Sequence, residues 1–472
     1  MKNQLWENSA CEIVDALRGK EIKPSEVLDS IKSRCDEVNN IINAIPTLCF
    51  GNAYKNCLKA EKNLMPFNPP FYGLPIPIKD SYNVKGVKTT YGSLAFKDFI
   101  PNNSDLLVIQ IESSGGVIYG KTNTPEFEAG ASTFNEVFGR TLNPWNLNLS
   151  VAGSSGGAAA SVASGMAFIS QGSDFACSLR YPASFCGIVG LRTTPGLIPQ
   201  GPGKLPYQTL SVIGPLGRNV EDVSLALDGM CGYNSLDPLT SPMPKINYRL
   251  RSKEINKPHL IAYSSNLKIT KVSKKVEKIT SRAINSLNSH GIRVEKSEPD
   301  LSYCHESFHK LRAFQFSSIW GDVLKKYRDV LKPEVVWNIE EGFKLQNYDL
   351  SKAEKLRSIV RENLLKFLDK YEFLITPTAP VPPNPVEERF VKNIDGMEME
   401  SYLDWLALGY AVSVTGCPAI SIPCGFTNDN IPIGIQIIGK PYSEASLLSF
   451  AKFLENIFNV NLQKPLNPNE KS

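Results

Sequence analysis

Long apolar runs, runs of like charge and histidine are all scarce in this chain, and each shortage excludes something. No stretch approaches the ~18 consecutive apolar residues of a membrane-spanning helix. The N-terminal segment Met1 to Leu17 carries Glu7, Glu12 and Asp15, so it is not a secretory signal core. No run of like charges reaches five residues, and 51 Lys+Arg against 47 Asp+Glu leave a formal charge of only +4. A dedicated face for nucleic acid or anionic membrane is therefore not indicated. Four histidines and ten cysteines occur in 472 residues, with no C-x-x-C pair and no histidine at zinc spacing. That argues against structural zinc and for reduced, mostly buried thiols in a cytoplasmic protein. What is present is ordinary: 42% hydrophobic and 21% charged residues, enough for a sizeable core and too apolar for bulk disorder.

Ala10, Ile13, Val14 and Leu17 follow helical spacing after Asn8-Ser9, and Leu28, Ile31, Cys35 and Val38 repeat it after Lys23-Pro24-Ser25. From about 71 to 218, short apolar runs alternate with Gly, Ser, Pro and Asn clusters. Leu74 to Ile78 and Val117 to Tyr119 predict buried strands; Leu106 to Glu112 and Ala158 to Gly165 predict helices. Residues 240 to 400 are Lys-rich and mostly helical in pattern, and Thr376 to Pro385 predicts an extended, proline-stiffened loop. Strand texture returns at Ala419 to Ile422 and Ile433 to Ile438, and a closing helix shows Leu447, Leu448, Ala451 and Leu454 on one face. The alternation predicts an α/β fold with a largely buried sheet.

Three motifs compete. Gly115, Gly120, Lys121 and Thr122 fit the phosphate-loop pattern, but Gly116 to Tyr119 between the glycines want to be strand, and Asn123-Thr-Pro125 cannot start the required helix. Gly153-Ser-Ser-Gly-Gly157 fits a nucleophile elbow around Ser155. Its triad would need a late histidine, and His259, His290, His305 and His309 all lie in the charged middle region. The third is the combination of Lys79 at a strand end, Ser154 in a Gly/Ser cluster, and Ser178 in Gly172 to Ala183. Each has a bland explanation: a lysine paired with Asp80, a tight turn, and a buried loop pinned by an Asp174–Arg180 ion pair. The stretch Ser161 to Ser164 reads as helix surface.

Here the chain resembles the amidase signature family over most of its length. The matching segments are Gly73-Leu-Pro-Ile-Pro-Ile-Lys-Asp80, Gly120-Lys-Thr-Asn-Thr-Pro-Glu-Phe127, and Asn143-Pro-Trp145 followed by Gly153 to Gly157. They continue with Gly172-Ser-Asp174, Ser178-Leu-Arg180, Pro182-Ala183, Phe185 to Leu191, Gly214-Pro-Leu-Gly-Arg218, and Gly416 to Pro423. The resemblance implies one large domain over 1–472, with a central twisted mixed β-sheet flanked by helices. Its signature core would cover about 71–218, and a variable helical substrate-side region about 240–400.

It also implies an amide hydrolase with a Ser-Ser-Lys site. Ser178 would be the nucleophile, Ser154 the bridging serine after a cis bond from Gly153, and Lys79 the base. Lysine can take a proton only when neutral, and burial at a strand end lowers its ordinary value of about 10.4. The backbone N–H groups of Phe175, Ala176 and Cys177 would bind the oxyanion. The family usually has Gly-Gly where this chain has Ala176-Cys177, which suggests a narrow acyl pocket, or loop strain if either residue needs positive φ. Asp174 and Arg180 would shape the nucleophile loop, with Arg180 a weaker candidate for a substrate carboxylate. Phe308, Phe314, Trp320 and Trp337 are read as core more than as a leaving-group channel.

The implied partner is a small-molecule amide substrate, with no direct nucleic-acid contact, no membrane contact, no metal and no organic cofactor. Dimers are common among such enzymes, and a homodimer stays open. One branch of the family is the glutamine-hydrolysing A subunit of a tRNA-dependent amidotransferase. Residues 192 to 212, Pro382 to Phe390, Ile394-Asp-Gly396 and Tyr402 to Leu406 look more like the stand-alone amidases. An inactive homologue is the remaining alternative.

Overall fold

The computed structural model describes residues 4–62, 69–255, 257–460 and 466–468; the first three residues of the N-terminal segment lie outside them. The two opening helices form where their spacing predicts. Helix α1 (Ala10–Arg18) starts at Ser9, whose side chain accepts the Glu12 N–H while Glu12 bonds back to the Ser9 backbone. Helix α2 (Pro24–Ile42) begins on a proline, whose missing N–H costs nothing in the first turn. Ile13, Val14, Leu28, Ile31 and Val38 are fully buried, so both apolar stripes pack inward.

Strands β1 (Pro75–Lys79) and β2 (Val117–Thr122) pair in parallel, and Thr47–Leu48 adds antiparallel to the other side of β2. The main sheet has eight strands: β3 (Ile169–Asp174), β4 (Val189–Arg192), β5 (Val212–Gly217), β6 (Leu260–Tyr263), β7 (Arg293–Lys296), β8 (Leu374–Pro377), β9 (Ala419–Phe426) and β10 (Pro432–Ile438). Their order is β7-β6-β8-β10-β9-β4-β5-β3. β6 pairs in parallel with β7 and with β8, and every other neighbouring pair is antiparallel. This is the mixed sheet that the resemblance implies. All seven residues of β10 are buried, as expected of an apolar strand covered on both faces.

Two short helices frame the nucleophile segment: α3 (Gly156–Ala163) follows the Gly/Ser cluster, and α4 (Arg180–Cys186) follows Ser178. Further on lie the long α5 (Cys304–Tyr327), α6 (Ala407–Thr415), and the closing α7 (Glu444–Phe458), whose Leu447, Leu448, Ala451 and Leu454 are all buried.

One expectation is extended and two are corrected. The region 240 to 400 is mostly helical as its pattern predicts, with long helices such as Asn347–Lys370, and it also supplies β6, β7 and β8 to the central sheet. These strands are four residues each, and β7 is a half-exposed edge strand of sequence Arg-Val-Glu-Lys, with little apolar signal to read. Thr376 and Pro377, expected in the proline loop, instead close β8 opposite Gln436 and Ile435. Ser161 and Ser164, read as helix surface, are fully buried, and their hydroxyls donate to the carbonyls of Ala158 and Ala160 within α3.

Candidate active site

Lys79 ends β1 and is completely buried. The β3 residue Gln171 holds its backbone N–H through Oε1 at 3.0 Å, tying the small sheet to the large one at this point. Lys79 Nζ lies 2.7 Å from Ser154 Oγ, 3.0 Å from Ser155 Oγ, 2.9 Å from Ser173 Oγ and 2.6 Å from Glu128 Oε1. The Asp80 pairing considered for it does not form. Asp80 turns to Lys121 instead, at 3.1 Å, in a second buried ion pair.

Ser154 is buried, and the Gly153–Ser154 peptide bond is cis. A Cβ on Gly153 would sit 3.0 Å from the Ala131 carbonyl carbon and 3.1 Å from the Ser132 nitrogen, so a larger residue there would crowd that backbone. Ser178 is 9% exposed, and its carbonyl accepts the Ser155 N–H at 3.2 Å, which binds the two serine segments together. Among the described residues its hydroxyl bonds to no side chain, Ser154 included. The N–H groups of Phe175, Ala176 and Cys177 likewise find no protein acceptor among those residues, which leaves three donors beside Ser178.

Asp174 organises this loop. Its carboxylate accepts two bonds from Arg180, at 3.0 and 2.9 Å, one from Arg192 at 3.2 Å and one from the Leu179 N–H at 3.2 Å. Burial alone would raise its carboxyl. The two guanidinium charges and these bonds outweigh burial and lower it from 3.8 to about 2. Arg180 is fully buried, and its remaining donors go to Gln436, the carbonyls of Ala176 and Gly409, and Ser413. It shapes the loop and has no surface to offer a substrate carboxylate.

Neither Ala176 nor Cys177 takes a positive φ, so the loop carries no strain at the positions where the family usually has glycine. Cys177 is buried against α6, where a Cβ on Gly409 would meet its own Cβ at 2.4 Å. Burial pushes its thiol far above the ordinary value, so it stays protonated.

A family model described as Amidase matches residues 26–448. The chain belongs to the amidase signature family. The A subunit of glutamyl-tRNA(Gln) amidotransferase from Sulfurihydrogenibium sp. is 32% identical over 98% of this chain and 99% of its own length. An acylamidase from Rhodococcus erythropolis is 31% identical, with 95% of each chain covered. Among solved structures, 6-aminohexanoate cyclic dimer hydrolase complexed with substrate superposes with a TM-score of 0.88 at 25% identity, over 98% of this chain and 100% of that one. A bacterial aryl acylamidase shares the fold with a TM-score of 0.89 at 22% identity, over 95% and 96%. Membership places the chain among hydrolases of amide carbon–nitrogen bonds.

Three polar residues beside Lys79 are not marked by the sequence as its partners. Ser155 fits a nucleophile elbow there, yet in the fold its hydroxyl touches Lys79. Ser173 lies inside the matched Gly172-Ser-Asp174 run with nothing to single out its side chain. Glu128 follows the matched Gly120 to Phe127 run by one residue. Phe127 and Glu128 both have left-handed backbone, φ 46° and 62°, which reverses the chain there. Burial would raise the Glu128 carboxyl, but the Lys79 charge and the bonds from Lys79, Ser173 and Ser81 outweigh it and keep it ionised.

Glu128, Ser81 and Phe175 line a cavity of about 300 Å³ whose far wall is aromatic. Trp320 stacks on Phe127 there at 4.0 Å and meets Tyr91 edge-on at 5.9 Å. Of the four aromatics considered for a channel, Trp320 lines this cavity, whereas Phe308 is fully buried core stacked on Tyr410. A cavity of about 640 Å³ elsewhere is walled by charges already paired, such as Arg249 with Asp15 and Glu221.

Proposed function

We propose that the chain is a self-sufficient amidohydrolase that cleaves carboxamides through an acyl-enzyme on Ser178. The observation that carries this reading is the buried contact of 2.7 Å between Lys79 Nζ and Ser154 Oγ, beside a serine whose loop presents three unpartnered N–H groups. Ser178 Oγ attacks the amide carbonyl carbon, and its proton passes through Ser154 to neutral Lys79. The N–H groups of Phe175, Ala176 and Cys177 receive the oxyanion, each worth about 3 kcal/mol in the transition state. The C–N bond breaks as the same relay returns the proton to the leaving nitrogen. Water then attacks the ester carbonyl and gives a proton to the relay, which passes it to Ser178 Oγ as the ester C–O bond breaks, releasing the acid and restoring the Ser178 hydroxyl.

Burial pushes Lys79 below its ordinary value, while the Glu128 charge and hydrogen bond pull it part of the way back. The base form therefore gains population on the alkaline side. The aromatic wall of the cavity suits an amide that carries an aryl or extended apolar group. Release of ammonia or amine from a carboxamide panel by the purified chain, and its loss in Ser178→Ala, tests this reading.

The amidotransferase A subunit, 32% identical to this chain, supports a second reading by its name: a partner-dependent glutaminase. Ammonia release from glutamine only in the presence of partner proteins would favour it. The segments at 192 to 212, 382 to 390, 394 to 396 and 402 to 406 support the first.

A further inference from the structure

Glu128 Oε1 accepts at once from Lys79 Nζ at 2.6 Å, Ser173 Oγ at 2.5 Å and Ser81 Oγ at 2.9 Å. Lys79 is wholly buried, and the Glu128 side chain keeps 26% exposure on the cavity side. Among the described residues, the groups within hydrogen-bond reach of Lys79 Nζ are Ser154 and Ser155 from the turn before α3, Ser173 from β3, and Glu128. Asp174 on β3 is farther, and Arg180 and Arg192 hold its charge. Asp80 is turned to Lys121. Glu128 itself faces Lys79, Ser81 and Ser173, and the Tyr82 hydroxyl lies beyond, bonded to Ser173. It is thus the one carboxylate within ion-pair reach of Lys79 among the described residues.

We propose that Glu128 is a positioning carboxylate that fixes Lys79 against Ser154 and holds the positive charge Lys79 gains when it takes the proton of Ser178. This rests on the reading of Ser178, Ser154 and Lys79 given above. The physical case has two parts. A buried lysine that accepts a proton becomes an uncompensated cation, and an uncompensated cation in a dry site opposes the step that creates it. An adjacent carboxylate removes that opposition, as the aspartate of a serine triad does for its imidazolium. The same attraction has a cost at lower pH. It keeps Lys79 as an ammonium longer, so the free base appears at higher pH than burial alone would set.

Two signatures follow for Glu128→Gln, which keeps the shape and an acceptor oxygen but not the charge. The ascending limb of the pH profile moves to lower pH by about one unit, so that reaction well below the limb loses less than reaction on the plateau. The plateau itself falls roughly tenfold to a hundredfold, as for a lost charge-assisted bond. Glu128→Asp, which restores the charge at shorter reach, brings the limb back toward wild type. A role confined to packing would lower the rate equally at every pH.

The experiment uses a fluorophosphonate probe, so no substrate need be known. The Ser178 Oγ–P bond forms, the P–F bond breaks, and the serine proton goes to the relay as fluoride leaves. The labelling rate of the full chain is followed by intact mass from pH 5 to 10, for wild type, Ser178→Ala, Lys79→Ala, Glu128→Gln and Glu128→Asp, with folding checked by thermal melting. Labelling lost in both Ser178→Ala and Lys79→Ala upholds the underlying reading. A limb moved down in Glu128→Gln and restored in Glu128→Asp upholds the proposal. A limb that stays in place overturns the proposal alone. Absence of labelling in wild type, or labelling that survives Ser178→Ala, overturns the reading and the proposal with it. Should Glu128→Gln fail to fold, Glu128→Ala takes its place in the series: a limb displaced downward upholds the proposal, and an unmoved limb overturns it.

Discussion

Asp174→Asn is the most informative structural perturbation, because one carboxylate holds two fully buried arginines. Asn is isosteric, so shape is kept and charge is lost. Arg180 and Arg192 would then stand in the core with no counter-ion, and breaking a buried pair from one side typically costs about 3–5 kcal/mol. An independent figure comes from pH. The folded carboxyl lies near 2 against an ordinary 3.8, which corresponds to about 2 kcal/mol of stability. The sign is that of a depressed acid: the contribution is full above pH ~4 and disappears as pH falls through 2. Substitution should cost more than protonation, because a protonated Asp174 still offers a carbonyl acceptor and Asn adds an N–H₂ group facing two guanidinium groups. Urea unfolding midpoints at pH 7, pH 4 and pH 2 read both effects. The variant should lose stability at pH 7 and show less acid dependence than wild type below pH 4. A loss under about 1 kcal/mol at pH 7 would refute the claim that this carboxylate organises the nucleophile loop.

Gly409→Ala should destabilise by about 1–3 kcal/mol through overpacking, since the new Cβ meets the Cβ of Cys177 at 2.4 Å and the Ala176 carbonyl oxygen at 2.6 Å. Adding Cys177→Gly should recover part of that loss in urea, and strictly additive losses would show that α6 and the loop are not in contact. His309 is pushed down from 6.5 to about 4 by burial, and its Nε2 has no hydrogen-bond partner among the described residues. Stability should therefore fall as pH drops from 6.5 toward 4, by up to about 1.4 kcal/mol per pH unit. His309→Phe should flatten that slope in melts taken across the window, and an unchanged slope would assign the acid sensitivity elsewhere.

Much of the fold is legible in the sequence because its signals are local. Strand-length apolar runs mark β1, β2, β9 and β10, and a capped stripe marks α1. The strands β6, β7 and β8 are not legible, because four residues cannot display a period and β7 carries its charges at a sheet edge. The ordered motifs point to Lys79, Ser154 and Ser178 together, and the structure brings their segments to one place. Glu128 and Ser173 cannot be read in the same way. Each becomes visible only when chain reversal at Phe127 and pairing of β3 deliver the side chain to Lys79, a contact 49 residues away for Glu128 and 94 for Ser173. The backbone at Ala176-Cys177 is equally out of reach of sequence, since φ at those positions is set by how α4 leaves the loop and not by their identities.

The central claim is that this chain alone hydrolyses an amide through Ser178. The direct test is release of ammonia or amine from a panel of small carboxamides and anilides, glutamine included, by the purified chain from about pH 6 to 10, beside Ser178→Ala. Release by wild type only, increasing on the alkaline side as Lys79 loses its proton, is the predicted result. Equal release by Ser178→Ala, or no release from any member without a partner protein, would contradict it.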